Sequence, residues 1–168
     1  MASTSDILID GFGRIRENVH AAVDGLSEEQ LTFRPEGTGN SIAWLVWHLT
    51  RVQDDHVAEV AGTKQAWLDD GWAGRFGLPF EESATGYGFA QRDVGEVVVG
   101  AEQLTGYFDA VHERTVRYLS RLHDADLDRI VDDRWDPPVT LAVRLVSVLD
   151  DDAQHVGQAA YVRGLLPD

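Results

Sequence analysis

The sequence predicts an all-α fold, a four-helix bundle whose helices are joined by long connections. Apolar residues recur at three- and four-residue steps along four separate stretches of the chain, which is the spacing of one face of an α-helix. No segment shows the regular alternation of apolar and polar residues that is typical of a half-buried β-strand. Bundles of this kind build their metal sites in the core, from side chains on facing helices.

The size and composition of the chain predict one domain, residues 1–168. It has 168 residues, of which 43% are hydrophobic and 26% are charged, as in ordinary soluble domains with their own core. No apolar run approaches the roughly 20 residues that span a bilayer. The N-terminus lacks the basic and apolar segments of a secretory signal. We therefore expect a cytoplasmic protein that does not enter membranes.

Charge and cysteine content exclude several classes of function. The 29 acidic and 14 basic residues give a formal net charge of −15, and the arginines are scattered singly. Phosphate backbones would be repelled, so we expect no nucleic-acid partner. The chain has no cysteine, which excludes disulfides, thiolate metal ligands and a cysteine nucleophile. Any nucleophilic sulfur must therefore come from a small molecule.

The first two helices are predicted for residues 5–24 and 40–61. Each has apolar residues at helical spacing, and the second has an unusually bulky face. A short helical turn is expected between them, because Ser27 and Gln30 form a capping box. Asn40 is a suitable N-cap for the second helix, since its side chain can accept a hydrogen bond from the first turn.

Two further helices are predicted after a long connection. The connection, residues 62–92, is rich in glycine and aromatic residues, and connections of this length often cover or line a functional site. The third helix is predicted for residues 93–122, starting with a capping box of Asp93 and Glu96. After an acidic connection, the fourth is predicted for residues 140–163.

The candidate metal site combines side chains of the second and fourth helices. Asp151 and His155 are four residues apart, so they lie one turn apart on the same helix face, where two side chains can share one metal ion. Asp152 is the alternative carboxylate. His48 stands in an apolar stretch and is predicted to point inward. Two histidines and one carboxylate leave open coordination positions, and they suit zinc as well as nickel, manganese or iron(II).

The same residues also have plainer interpretations. His48 alone would be a hydrogen-bonded core histidine, and His155 alone a surface residue. Arg51 lies one turn after His48 and is a candidate contact for a cofactor. Alternatively, Arg51 forms an intrahelical ion pair with Asp55.

The long connection and the fourth helix contain further candidates. Trp72, Arg75 and Phe76 are candidate contacts for a bound molecule, or they pin the connection to the bundle. Gln158, one turn after His155, orients a metal ligand or is an ordinary polar residue of the helix. His56, about two turns after His48, lines the same cavity or faces solvent, and the second interpretation is preferred. His20, His112 and His123 are expected to be structural or exposed.

Four features resemble the DinB-like superfamily over nearly the whole chain. They are the order of the helices, Leu-Ser-x-x-Gln-Leu-x-x-Arg-Pro at residues 26–35, Trp-His-Leu in the second helix and His-x-Gly-Gln in the fourth. The family usually places one histidine on the second helix and two, four residues apart, on the fourth. His48 and His155 match two of these positions, and Asp151 occupies the third.

The resemblance is strongest to actinobacterial members that include mycothiol-dependent S-transferases and maleylpyruvate isomerase-type proteins. It implies a metal-dependent thiol S-transferase, in which a low-molecular-weight thiol attacks an electrophilic small molecule. Mycothiol is the favoured thiol, ahead of bacillithiol and glutathione. Lys64 is the only lysine, and such arginine-rich composition is typical of high-GC genomes.

Two other functions fit the same sequence. One is a metal-dependent hydrolase or isomerase that uses the same site, with metal-bound water as the nucleophile. The other is a non-catalytic bundle that binds a small ligand or serves as a dimerisation module. A homodimer through helix faces is compatible with each function.

Overall fold

The computed structural model describes residues 2–167 as a helical bundle. Its helices are α1 (Thr4–Val23), α2 (Glu28–Thr32), α3 (Ile42–Ala61), α4 (Ala66–Asp69), α5 (Trp72–Phe76), α6 (Gln91–Gly95), α7 (Ala101–Leu119) and α8 (Leu141–Gly164). The long helices α1 and α3 each pack against both α7 and α8. The predicted all-α bundle is therefore confirmed. Within the described range, no helix has the length and apolar character needed to cross a membrane.

Side-chain caps fix the starts of α1 and α3. The Ser3 hydroxyl accepts a hydrogen bond from the backbone N–H of Asp6, whose carboxylate accepts one from the N–H of Ser3. The cap of α3 is Ser41 rather than the predicted Asn40, because the Ser41 hydroxyl accepts a hydrogen bond from the N–H of Trp44 at 3.1 Å. Serine satisfies a free N–H of the first turn as well as asparagine does, so the sequence does not distinguish them.

The connections contain more helix than expected. The capping box of Ser27 and Gln30 forms as predicted and starts α2. After α3, Gly62 adopts a left-handed conformation with φ of +65°, which ends the helix at little steric cost. The segment expected to be a loop then folds into the short helices α4, α5 and α6.

The prediction that the third helix starts at Asp93 is wrong. Asp93 lies in α6, where its carboxylate accepts a hydrogen bond from the N–H of Ala90. The chain then continues without regular secondary structure before α7, with Val97 and Val99 buried and Val98 exposed. Two of these three valine side chains are thus placed in the core without a helix. The helix therefore starts eight residues later, at the first residue of α7.

The expectation that the chain contains no strand is also wrong. A small antiparallel hairpin, β1 (Ile130–Asp132) and β2 (Val139–Thr140), lies between α7 and α8. Strands of three and two residues are too short for an alternating pattern to be recognised. The buried carboxylate of Asp132 ties the hairpin to α8 by accepting a hydrogen bond from Arg144 at 3.3 Å.

Helix α3 supplies the centre of the core. Fifteen of its 20 residues are buried, so it is enclosed on most of its surface. Four of the buried side chains are nevertheless strongly polar, namely His48, Arg51, Gln53 and Asp54. Polar groups in such a position need partners inside the protein, and their partners define the surroundings of the candidate site.

Candidate metal centre

His48 lies on the buried surface of α3, with 5% of the residue exposed. Its imidazole stacks on the indole of Trp44, with ring centroids 4.6 Å apart and planes inclined by 12°. Its Nδ1 is hydrogen-bonded to the backbone carbonyl of Thr85, in the connection between α5 and α6. A carbonyl oxygen only accepts hydrogen bonds, so Nδ1 carries the proton and Nε2 keeps a free lone pair.

Asp151 and His155 approach His48 from α8. The Oδ1 of Asp151 lies 3.6 Å from the Nε2 of His155. The imidazoles of His48 and His155 meet edge to face, with centroids 4.8 Å apart. One potential ligand atom from each of the three residues lies within 4.8 Å of the other two. The structure therefore brings together the three residues that the sequence predicts as a metal-binding set.

A glutamine on α8 fixes the second imidazole. The Nδ1 of His155 lies 3.1 Å from the Oε1 of Gln158. With that amide oxygen as acceptor, Nδ1 carries the proton and Nε2 faces Asp151 with a free lone pair. Metal-bound histidines commonly donate their second ring N–H to such a partner. This geometry matches the interpretation of Gln158 as an orienting group.

The polar atoms of the cluster fit a metal cation. The Oδ2 of Asp151 is buried and has no hydrogen-bond partner among residues 2–167. A buried carboxylate oxygen without a partner is unfavourable, and coordination of a cation by this carboxylate would remove the penalty. Imidazole nitrogens and carboxylate oxygens are also the usual protein ligands of zinc and related divalent metals.

The structure places only one of the two candidate carboxylates beside the two histidines. The side chain of Asp152 is completely buried in the core and is not part of the cluster that contains Asp151. Burial raises the pKa of Asp152 well above its ordinary value, and the neighbouring charge of Asp151 adds to this effect. Asp151 is thus the carboxylate that faces the two histidines.

Burial also controls the charge of His48. Desolvation lowers the pKa of His48, because the enclosed ring cannot hydrate a positive charge. The Thr85 carbonyl raises the same pKa, His155 lowers it and Asp151 raises it, with smaller effects than burial. A neutral imidazole is the form that binds a metal ion.

A family comparison covers most of the chain. The sequence model of the DinB superfamily matches residues 12–159. The chain belongs to the DinB superfamily. The matched region includes His48, Asp151 and His155, so the three residues lie within the part of the chain that defines membership.

A solved structure supports the DinB assignment. The crystal structure of a conserved protein from Enterococcus faecalis superimposes on this chain with a TM-score of 0.92, and the two sequences are 27% identical. The match covers 98% of each chain, so the two proteins share the whole fold. None of the curated proteins matches this DinB chain significantly.

Arg51, predicted either to contact a cofactor or to pair with Asp55, lies inside this DinB bundle. Its side chain is completely buried. Its Nε donates to the carbonyl of Ala84 at 3.1 Å, and its Nη1 donates to the Oε1 of Gln65 at 2.9 Å. The predicted pair with Asp55 does not form, because the Asp55 carboxylate accepts a hydrogen bond from Gln65 instead. Arg51 thus acts within the protein and presents no surface to a bound molecule.

Trp72 and Arg75 pack against α7. The guanidinium of Arg75 lies over the indole of Trp72, 4.5 Å from the ring centroid. The same indole lies against Gly106, where an added Cβ would be 2.8 Å from its Cη2. Phe76 is buried against the ring of Tyr107. These contacts favour the interpretation that the three residues pin the connection to the bundle, and a contact with a cofactor stays a prediction.

Little in the sequence indicated which backbone segment covers His48. Gly86 has a φ of +92°, and an added Cβ would lie 2.9 Å from both the Nδ1 of His48 and the Cζ3 of Trp47. Glycine is therefore needed here for both the conformation and the close approach. The glycine-rich composition of the connection was a sign of such packing, but it did not identify Thr85 as the partner of His48.

Proposed function

We propose that this protein is a metal-dependent thiol S-transferase, which joins a low-molecular-weight thiol to an electrophilic small molecule. The observation that carries the proposal is the convergence of His48, Asp151 and His155, whose ligand atoms lie within 4.8 Å of one another. Zinc is the metal that we propose, and mycothiol is the thiol. The specific activity is inferred from this cluster together with the resemblance to S-transferases of the superfamily.

The donor set supports a catalytic site rather than a purely structural one. Structural zinc sites have four protein ligands, whereas three protein ligands leave a position for an exogenous molecule. A divalent metal held by His48, Asp151 and His155 would supply Lewis acidity, which favours the thiolate form of a thiol near neutral pH.

Hydrogen bonds around the cluster hold both histidines in a tautomer that can bind a metal ion. The Thr85 carbonyl holds the proton of His48 on Nδ1, and Gln158 does the same for His155. Each Nε2 is therefore free to act as a ligand without a prior loss of a proton. The stacked indole of Trp44 covers one face of His48 and restricts the orientation of the ring.

The sulfur in this reaction belongs to the co-substrate, because the chain has no cysteine. The thiol releases its proton to solvent, and its sulfur forms a bond to an electrophilic carbon of the second substrate. The leaving group departs with the electron pair of the bond that breaks. The protein contributes the ligands and their orientation, and no residue needs to form a covalent bond with either substrate.

The first test is metal content, followed by a thiol assay. The wild-type protein, His155→Ala and the control His123→Ala are purified without a polyhistidine tag, incubated with zinc, desalted and analysed for metal. We expect about one equivalent of zinc in the wild type and the control, and a loss of zinc in His155→Ala. His123 precedes α8 in the connection and lies outside the cluster.

Zinc-loaded protein is then assayed with mycothiol and a generic electrophile. We expect a rate of conjugation that saturates with thiol concentration and is absent in His155→Ala. Metal binding with turnover that does not depend on the thiol would instead support a hydrolase or isomerase. A wild-type protein that binds no zinc, nickel, manganese or iron(II) would overturn the proposal.

A further inference from the structure

Arg51 connects two distant parts of the connection that follows α3. Its guanidinium donates to the side chain of Gln65 near the start of this connection and to the carbonyls of Glu82 and Ala84 near its end. The Arg51 side chain has no exposed surface. The planar guanidinium has five N–H donors in a fixed arrangement, so one side chain can hold several acceptors at once.

The positive charge of Arg51 is compensated inside the protein. Its Nη1 lies 3.8 Å from the Oδ2 of Asp54. That carboxylate also accepts hydrogen bonds from the backbone N–H groups of Ala66 and Trp67 and from the hydroxyl of Tyr107. Since buried charges need both a counter-charge and hydrogen bonds, this network is suited to hold Arg51 in one position.

The anchored segment is the one that contacts His48. Ala84, which accepts the hydrogen bond from Arg51, directly precedes Thr85, whose carbonyl is the acceptor for the Nδ1 of His48. The next residue, Gly86, lies against the same imidazole. Arg51 and His48 are also three residues apart on α3. One helix face therefore holds both the imidazole and the arginine that anchors the backbone over it.

We propose that Arg51 is a positioning residue for His48. By anchoring residues 82–84, it places the Thr85 carbonyl against Nδ1, which keeps the ring in the Nδ1–H tautomer and directs Nε2 toward Asp151 and His155. The consequence for metal affinity rests on the proposed function. The effect on the tautomer does not, because it exists in the metal-free protein.

The test uses ¹⁵N NMR of the histidine rings in the metal-free protein at about pH 8. We expect the ring of His48, assigned with His48→Gln, to be in the Nδ1–H tautomer in the wild type. In Arg51→Met, we expect a mixture of both tautomers. The ring of His155 serves as an internal reference, because its partner Gln158 lies on its own helix and should be unaffected.

Arg114→Met is the matched control. Arg114 also anchors the connection, through the Lys64 carbonyl and the carboxylates of Asp69 and Asp70, but not the segment that carries Thr85. We expect this variant to keep the wild-type tautomer of His48. If the loss of any anchor of the connection were enough to change the tautomer, both Arg51→Met and Arg114→Met would show a changed tautomer of His48. That result would overturn the proposal.

Arg51→Lys is a second variant, which tests the proposal if Arg51→Met does not fold. It keeps a positive charge beside Asp54, but a single ammonium group cannot reproduce the donors that reach Gln65 and the Ala84 carbonyl together. We expect it to fold and to show mixed tautomers. A folded Arg51 variant with the pure Nδ1–H tautomer of His48 would overturn the proposal.

Zinc affinity is the second readout. We expect the Arg51 variants to bind zinc about 10- to 100-fold more weakly than the wild type, the usual effect of removing support for a metal ligand. If the wild type binds none of zinc, nickel, manganese and iron(II), the proposed function fails, while the tautomer measurement still tests the positioning role. Arg51 variants with a changed tautomer of His48 but unchanged zinc affinity would contradict the proposal that the tautomer affects metal binding.

Discussion

The Oδ1 of Asp151 lies 3.6 Å from the Nε2 of His155, one helical turn further along α8. Asp152, the next residue, is directed into the core with no hydrogen-bond partner for either carboxylate oxygen among residues 2–167. Two adjacent acidic residues of the same type thus have different surroundings, and substitutions at the two positions should have different effects.

Substitution of Asp151 should change metal affinity according to the donor that replaces it. We expect Asp151→Ala to weaken zinc binding by at least about 100-fold, because loss of a direct ligand should exceed the effect of losing its support. Asp151→His should keep zinc binding, since imidazole is a good zinc ligand at this spacing. Competition with a chromophoric chelator measures both affinities.

Asp152→Asn is the control for these variants. It changes the neighbouring carboxylate without removing a group of the cluster, so zinc affinity should stay within about twofold of the wild type. Strong zinc binding by Asp151→Ala combined with weak binding by Asp152→Asn would contradict the assignment of Asp151 as the ligand.

Asp152 should reduce the stability of the metal-free protein. Replacement of a buried carboxyl group that lacks a partner by an apolar side chain removes its desolvation penalty. We expect Asp152→Val to raise the free energy of unfolding by about 1–3 kcal/mol, as measured by urea denaturation at pH 7. A lower stability of this variant would show that the carboxyl group makes a favourable interaction in the core.

His112 should make the stability of the protein depend on pH. Burial lowers the pKa of His112, followed by a smaller effect of Arg16 in the same direction, whereas Asp109 raises it. The unfolded chain takes up this proton near pH 6.5, while the folded protein does so only at lower pH. The free energy of unfolding should therefore fall as the pH decreases below about 7.

His112→Phe isolates this contribution. The variant keeps an aromatic ring next to Phe108, on which His112 stacks, and it removes the titrating group. Relative to the wild type, the variant should become more stable on going from about pH 8 to about pH 5.5 in urea titrations. An equal difference in unfolding free energy at both pH values would contradict the neutral state of the half-buried His112 in the folded protein.

Arg144 should be important for the attachment of the hairpin. Its largely buried guanidinium donates to the Oε2 of Glu59, the Oδ2 of Asp132 and the Nδ1 of His56. We expect Arg144→Met to lower the free energy of unfolding by about 1.5–3 kcal/mol, because hydrogen bonds to charged groups are lost in a buried position. Amide hydrogen exchange should become faster in β1 and β2.

An exposed arginine provides the matched control. Arg14 pairs with Asp10 on the surface of α1, and both side chains are largely exposed. Arg14→Met should leave the free energy of unfolding almost unchanged, because solvent screens an exposed ion pair. If Arg144→Met and Arg14→Met changed the free energy of unfolding equally, burial of the Arg144 network would contribute nothing to stability.

The long helices and the two histidines of the cluster could be predicted from the sequence, with Asp151 as the first of two candidate carboxylates. Both follow from local rules, since helical periodicity identifies the buried faces and a spacing of four places Asp151 beside His155. The choice between Asp151 and Asp152 could not be made in this way. Spacings of three and four residues both lie on one helix face, and only the packing against α3 separates them.

The parts that could not be predicted depend on contacts between distant segments. The sequence indicated an intrahelical pair of Arg51 with Asp55, but Arg51 pairs with Asp54 instead, and its other partners lie up to 56 residues further along the chain. The hydrogen bond from His48 to Thr85 spans 37 residues. The segment between α6 and α7 has apolar residues that also fit a helix, but it forms no helix, and Val97 and Val99 are buried there.

The most direct test of the metal site is anomalous X-ray diffraction from crystals of the wild-type protein soaked with zinc, with data collected on both sides of the zinc absorption edge. We expect one strong anomalous peak, about 2.0–2.2 Å from the Nε2 atoms of His48 and His155 and from a carboxylate oxygen of Asp151. A crystal with no peak among these three residues, or with zinc bound only elsewhere, would contradict the proposal that they bind a metal ion.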